Sequence, residues 1–389
     1  MTARLDAQFA FLREAEKLRR IERQNLILDG TRPENSAEHS WHLALYALTL
    51  APLADPAVNV DRVIQMLLLH DLVEIDVGDH PIAGDVDWKA VTAAEDTAAR
   101  RLFALLPSDQ GTALLDLWRE FEAGETLDAR FAKHLDHCQP IFQTLHCRQV
   151  PEFHLDIVRD NLETGRATGL KTGFPKAYHH AQSLLGQAGS ESCPSFTQRL
   201  GFLNEADALK QVLRASRLGD GSRRENSAEH SWHIMLHGWI LAEHASHDID
   251  LSRVMRMLLL HDLVEIDAGD TPIHGTQDPA TLAALADREA AAARRLFHLL
   301  PQPQAGDFHA LWTEFEEAAS PDAIFAKSID RVQPLFLNLL NGGGTWVEYD
   351  VNFGQLEQRV GVKIARGAAD VWTHVRGHVL PWFETAGRI

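Results

Sequence analysis

MLLLHDLVEIDVGD, residues 66–79, is the stretch on which the reading of this chain turns. With RVIQ in front of it, the segment is too apolar all round for a surface helix. It stops at Gly78, with Pro81 just beyond. Such a helix should cross the centre of a domain. His70 follows Leu67 by three residues and Met66 by four, which turns its ring toward a buried face, and Glu74 lies one turn further on that face. A His-Asp pair in the middle of an apolar helix is costly unless a partner or a metal compensates it.

The same stretch occurs twice. HDLVEID spans 70–76 and 261–267, preceded both times by MLLL and followed by Gly-Asp and then Pro-Ile. ENSAEHSWH recurs at the same offset, at 34–42 and 225–233. Further on, ARRLFALLP at 99–107 answers ARRLFHLLP at 293–301, and FAKHLDHCQP at 131–140 answers FAKSIDRVQP at 325–334, after a three-residue insertion. Each copy covers nearly half of the 389 residues, much longer than a solenoid unit, so a whole domain is duplicated. The expected domains are 1–188 and 195–389, joined by a linker within GQAGSESCPS, residues 186–195. The two halves are expected to pack as a pseudo-dimer, as a fused equivalent of a homodimer would.

Leu-, Ala- and Arg-rich runs with apolar residues three and four apart fill both halves, and alternating β-branched segments are nearly absent, so the fold class is all-α, two tandem helical bundles. Asn35 followed by Glu38 resembles a capping box, which starts a helix and puts His39 in its first turn. FAKHLDHCQP reads as a further amphipathic helix carrying Asp136 inward, with Asp330 as its counterpart. Hydrophobic residues at 45% and charged residues at 24% allow a buried core. A net charge of −18 argues against a nucleic-acid polymer as partner, since that needs clustered Lys and Arg. No membrane span and no signal peptide are read, and a cytoplasmic location is expected. Cys138, Cys147 and Cys193 suggest neither disulfides nor a thiolate metal cage.

His39, His70, Asp71 and Asp136, repeated as His230, His261, Asp262 and Asp330, form a mixed nitrogen and oxygen set. A single His-Asp dipeptide would read as a hydrogen-bonded core pair. The joint spacing, present twice, points instead to one divalent ion per domain: Mn, Fe, Co, Ni, Zn or Mg. Such an ion acts as a Lewis acid and lowers the pKa of a bound water by several units, which suits hydrolysis.

On these motifs the chain resembles the HD-domain superfamily of metal-dependent phosphohydrolases, and within it most closely the 5′-deoxynucleotidase branch. The resemblance implies metal ligands at the eight residues above and proton transfer by Glu74 and Glu265. It also implies an aspartate near the sugar at Asp79 and Asp270. A phosphate-binding arginine upstream of the first motif corresponds to Arg23 and Arg214 or to Arg32 and Arg223. The branch's aromatic neighbour of that arginine is replaced by Gln24 and Ala215. His42 and His233, and Trp41 and Trp232, read as packing or supporting residues, and His80 stands opposite Thr271. The implied activity is hydrolysis of nucleoside 5′-monophosphates, small phosphorylated metabolites. The alternatives are a metal- and nucleotide-binding sensor with little turnover, or a hydrolase of another phosphoester such as a nucleoside triphosphate or cyclic nucleotide.

Overall fold

The protein is described by a computed structural model covering residues 2–80, 87–150, 152–187, 193–275 and 278–389. Pro81 and residues 188–192 of the expected linker lie outside the described residues. The first repeat runs α1 (Thr2–Ala15), β1 (Glu22–Leu26), β2 (Pro33–Asn35), α2 (Ser36–Leu50), α3 (Val60–Leu69), a 3-10 turn His70–Val73, α4 (Glu74–Val77), α5 (Trp88–Phe103), α6 (Ser108–Ala123), α7 (Leu127–His146), α8 (Glu152–Glu163), α9 (Leu170–Gly173) and α10 (Pro175–Leu184). The second repeats this order with α11 (Pro194–Ala206), β3 (Leu213–Arg217), β4 (Arg224–Asn226), α12 (Ser227–Ile240), α13 (Leu251–Leu260), a 3-10 turn His261–Val264, α14 (Glu265–Ala268), α15 (Pro279–Phe297), α16 (Gln304–Glu317) and α17 (Pro321–Leu340). Four further helices follow: α18 (Thr345–Glu348), α19 (Phe353–Leu356), α20 (Val362–Gly367) and α21 (Ala369–Thr385). The protein is all-α apart from the two short ribbons.

Two compact units emerge: a first of Lys17–Ala208 with Leu299–Pro301, and a second of Met1–Glu16, Leu209–His298 and Gln302–Ile389. They differ from the sequential division at 1–188 and 195–389 in the leading helix of each repeat, since α11 completes the first unit and α1 the second. In the first unit α11 buries Phe196, Leu200 and Leu203, with the Phe196 ring 5.4 Å from that of Phe142 and 5.9 Å from that of Phe174. In the second, the ring of Phe9 on α1 lies 4.5 Å from that of Phe336, and Gln8 donates a 3.0 Å hydrogen bond to the carbonyl of Ile240. The apolar faces of the two helices are alike, so sequence alone does not tell which unit each one covers.

Helix α2 is buried along its whole length and packs on α3 and α7. The expected capping box is formed: the Asn35 side chain accepts from the Glu38 backbone and Glu38 reaches back to the Asn35 N–H. The apolar stretch 62–77 is not one helix. It tightens into the 3-10 turn at His70 and stops at Gly78, whose φ of 77° favours a residue without Cβ. In this turn His70 Nε2 and Asp71 Oδ1 meet at 3.0 Å.

Each ribbon is antiparallel, with Glu22 opposite Asn35 in the first unit and Leu213 opposite Asn226 in the second. ERQNL lacks the hydrophobic alternation that would announce a strand. It is held instead by hydrogen bonds to α7: Gln143 Nε2 donates to the Leu26 carbonyl at 2.9 Å, and Asn25 Nδ2 donates to the Pro140 carbonyl at 3.2 Å. Pro140 sits inside α7 one turn after Asp136, so the Asp136 carbonyl has no helical donor. Pro334 repeats this after Asp330 in α17. No described helix is long and apolar enough to cross a membrane, and the three cysteines are free.

Candidate metal centre

In the first unit α2, the 3-10 turn after α3 and α7 bring His39, His70 and Asp136 together, with ligand atoms all within 4.8 Å of one another. His39 Nε2 is 3.2 Å and His70 Nε2 3.8 Å from Asp136 Oδ1. His70 Nδ1 lies 2.8 Å from the Leu67 carbonyl, an obligate acceptor, so that nitrogen carries a proton. His70 Nε2 is buried and faces Asp71 at 3.0 Å and Asp136 at 3.8 Å. A lone pair aimed at two carboxylates is repelled unless a cation or a proton lies between them. In the absence of an ion the proton is retained. Burial alone would depress the His70 pKa, but Asp71, by charge and hydrogen bond, and Asp136 raise it to about 9. The same imidazoles drive Asp136 well below the usual carboxylate range against the effect of burial. The carboxylate-facing nitrogen and the two-nitrogen, two-carboxylate set fit a divalent ion.

Asp71 divides its carboxylate. Oδ1 faces His70, and Oδ2 accepts a 2.7 Å hydrogen bond from Arg23 Nη1. That guanidinium, carried in by β1, also lies 3.7 Å from Glu74 and 3.9 Å from Asp79. Glu74 accepts a 2.5 Å hydrogen bond from Ser36 Oγ, and burial followed by the Asp71 charge lifts its pKa well above normal. Burial also raises Asp79, against the pull of Arg23. These groups open onto a cavity of about 650 Å³ whose walls include Trp88, Phe121 and Phe153.

The second unit repeats the geometry. His230, His261 and Asp330 converge; His230 Nε2 is 3.1 Å and His261 Nε2 3.9 Å from Asp330 Oδ1. Asp262 faces His261 at 2.9 Å and accepts from Arg214 at 2.8 Å, and its pKa falls to about 2 because His261 and Arg214 outweigh burial. Glu265 accepts a 2.5 Å hydrogen bond from Ser227 and is raised, by burial first and then by Asp262. Arg214 also lies 3.6 Å from Asp270, which burial raises.

Arg32 and Arg223 do not join either cluster. Each guanidinium grips the buried capping-box glutamate two-handed, Arg32 with Glu38 and Arg223 with Glu229, and this leaves it on the outer side of the helix start. A capping carboxylate in a dry site needs a counter-charge, and the neighbouring arginine supplies it. Trp41 and Trp232 are fully buried packing residues, each stacked on the following histidine.

A model of the HD domain family matches residues 15–178 and again 206–372. The chain belongs to the HD-domain family. Over 134 residues it is 32% identical to the 5′-deoxynucleotidase HDDC2 of Homo sapiens and 34% identical to that of Bos taurus. The aligned part is 34% of this chain and 64% of each relative, so the chain spans somewhat under two thirds of their length. A crystal structure of a predicted metal-dependent phosphohydrolase from Magnetospirillum magnetotacticum is 42% identical, with a TM-score of 0.46, over 49% of this chain and 94% of that one.

Around the HD-domain ligands lie groups that motif reading passed over. Ser36 holds Glu74. Glu34 and Gln139 approach the far nitrogen of His39, at 3.5 Å and 3.1 Å to Nδ1. All three are identical in the other copy, as Ser227, Glu225 and Gln333, and that identity was the available signal.

Proposed function

We propose that each unit is a metal-dependent phosphohydrolase centre that cleaves nucleoside 5′-monophosphates, with deoxyribonucleotides the favoured class, to nucleoside and phosphate. One observation carries the reading: in both units a cluster of two histidines and an aspartate, with a second aspartate against one of the histidines, adjoins a buried glutamate of raised pKa and a buried arginine. Membership of the HD-domain family and likeness to relatives named 5′-deoxynucleotidases support it.

His39, His70, Asp71 and Asp136, and His230, His261, Asp262 and Asp330, would hold one divalent ion in each unit. When bound, that ion supplies Lewis acidity toward the phosphate and acidifies a water. Arg23 and Arg214 hold a phosphate oxygen, a task for which their planar forks are suited. Glu74, one oxygen tied to Ser36, takes a proton from the attacking water and passes it to the leaving 5′ oxygen; Glu265 does so in the second unit. The water oxygen bonds to phosphorus, the bond from phosphorus to the 5′ oxygen breaks, and the alcohol leaves with the proton. Asp79 and Asp270, on the turn just after the glycine, accept from the sugar. The first-unit cavity of about 650 Å³ has room for a nucleoside.

The test is phosphate release from a panel of deoxy- and ribonucleotides by metal-stripped protein resupplied with Mn²⁺, Co²⁺, Mg²⁺ or Zn²⁺. Asp71→Ala and Asp262→Ala should each silence one centre, and the double variant should be inert. No release from any monophosphate with any metal would sink the reading.

A further inference from the structure

On the side of His39 away from the metal-facing nitrogen, a chain of buried polar groups runs to the leading helix of the unit. It begins at a main-chain carbonyl, Leu203 on α11, which lies 3.0 Å from His42 Nε2. A carbonyl only accepts, so His42 carries a proton on Nε2, and its Nδ1 looks toward Gln139, with the Asp207 carboxylate 3.7 Å away. Gln139 Nε2 faces that Nδ1 at 3.4 Å.

The amide of Gln139 is oriented by two more groups. Glu34 Oε1, an acceptor, lies 3.3 Å from Gln139 Nε2. Gln143 donates its own Nε2 to the Leu26 carbonyl at 2.9 Å, so its Oε1 is the end in contact with Gln139 Nε2. The Glu34 and Gln143 oxygens, which only accept, make that end of the amide the NH₂, with His42 Nδ1 as a third, longer neighbour for its two hydrogens. Gln139 Oε1 therefore faces His39 Nδ1 at 3.1 Å and accepts its proton, which leaves His39 Nε2 with a lone pair toward Asp136 and the metal position.

The second unit repeats the chain with a different leading helix. His233 Nε2 is 2.9 Å from the Leu12 carbonyl on α1, its Nδ1 is 3.5 Å from Gln333 Nε2, and Gln333 donates to Glu225 Oε1 at 2.6 Å. The final link is not made here: Gln333 Oε1 is buried without a hydrogen-bond partner, and His230 Nδ1 faces the Glu225 carboxylate at 3.5 Å. Leu337 stands where the first unit has Gln143, so one of the groups that orient the glutamine is missing.

We propose that His42 and Gln139 are positioning residues through which the leading helix of the first unit sets the proton on His39. The Leu203 carbonyl orients His42, which helps orient Gln139, which holds His39 with its proton on Nδ1; in the second unit His233 and Gln333 are present but the last link is not made. This rests on the metal-centre reading above. A ligand histidine held in the wrong tautomer must rearrange before it binds, and loss of such a supporting partner typically weakens metal affinity about 10- to 100-fold.

The experiment uses the full chain with the second centre silenced by His261→Ala and Asp262→Ala, stripped and titrated with Co²⁺. Gln139→Leu and His42→Leu should weaken Co²⁺ binding by about 10- to 100-fold. His42→Asn, whose side-chain oxygen replaces Nδ1 as the acceptor for Gln139, should recover most of that loss, which a mere packing role would not predict. In the zinc-loaded protein the His39 Nδ1 proton should appear by NMR as a slowly exchanging resonance and exchange faster in Gln139→Leu. Unchanged Co²⁺ affinity in a folded Gln139→Leu, or a His39 Nδ1 proton indifferent to it, overturns the relay while leaving the metal centre standing. If the leucine variants do not fold, His42→Asn is compared with the parent: Co²⁺ affinity within about threefold of the parent supports the relay, and a loss of about tenfold or more in the folded variant overturns it. Failure of the parent to bind Co²⁺ at all overturns the metal centre and the relay together.

Discussion

The two metal centres share every proposed ligand and differ in what surrounds them. In the first, Gln143 steadies Gln139, the His39 hydrogen bond is closed, and Asp136 is followed by His137. In the second, Leu337 replaces Gln143, the bond from His230 to Gln333 is not made, and Arg331 follows Asp330 and lies 3.8 Å from its carboxylate. His70 is raised to about 9 in the first centre, by Asp71 above all against burial; in the second it is His230, where burial and Arg214 are outweighed by Glu225 and Asp330. Duplication has thus preserved the ligand set while the electrostatic setting has drifted. Identical ligands do not by themselves give equal affinity.

The largest effect should come from isolating one centre. A fragment of residues 17–208 carries α11 and should fold and bind metal, whereas 1–188 lacks it, loses the burial of Phe196, Leu200 and Leu203 and uncovers Phe142 and Phe174. Each of these contributes about 1.5–3 kcal/mol by burial, against about 5–15 kcal/mol for a whole domain, so urea melts should find 1–188 unfolded or nearly so. Next in size, Glu74→Gln should cut turnover at the first centre by about 10²- to 10⁴-fold, and Glu265→Gln likewise at the second, with Co²⁺ still bound in both. Equal kinetics in the two single variants would break the comparison.

Metal affinity of the stripped protein should rise with pH. A metal ion must displace the proton held on His70 or His230, so binding is weakened below the folded pKa of about 9 and the penalty vanishes above it. The slope should be about tenfold per pH unit for each displaced proton, read by calorimetry in buffers of different ionisation enthalpy. The smallest effect belongs to one side chain. Gln143→Leu should loosen Co²⁺ at the first centre by about threefold to tenfold, the lower part of the range for supporting groups, and Leu337→Gln should tighten the second. Opposite signs in the two titrations would tie the difference between the centres to that position.

The duplication, the helical class, the Asn35 cap and the eight proposed ligands were legible because they rest on local spacing and on motifs written twice. The break at His70 was not, since a 3-10 turn and an α-helix share an apolar pattern over four residues. Arg23 and Arg32 were indistinguishable in sequence. What separates them is that β1 turns one inward, while Glu38 engages the other. The exchange of α1 and α11 left no trace because Phe9 and Leu200, Leu12 and Leu203 are interchangeable as hydrophobic surface. Gln139 was visible only as the Gln of a Gln-Pro pair, and its role depends on a carbonyl 64 positions away in the chain.

That exchange has a consequence on the scale of genes. In most tandem duplications a stop codon or deletion in the second copy leaves the first intact, and one copy is free to decay. Here truncation near residue 190 would strip the first unit of the helix that covers it, and loss of the opening residues would damage the second. Each copy depends on the other for a covering helix, so deletion of either would cost the fold of both, whereas point changes confined to one centre would not.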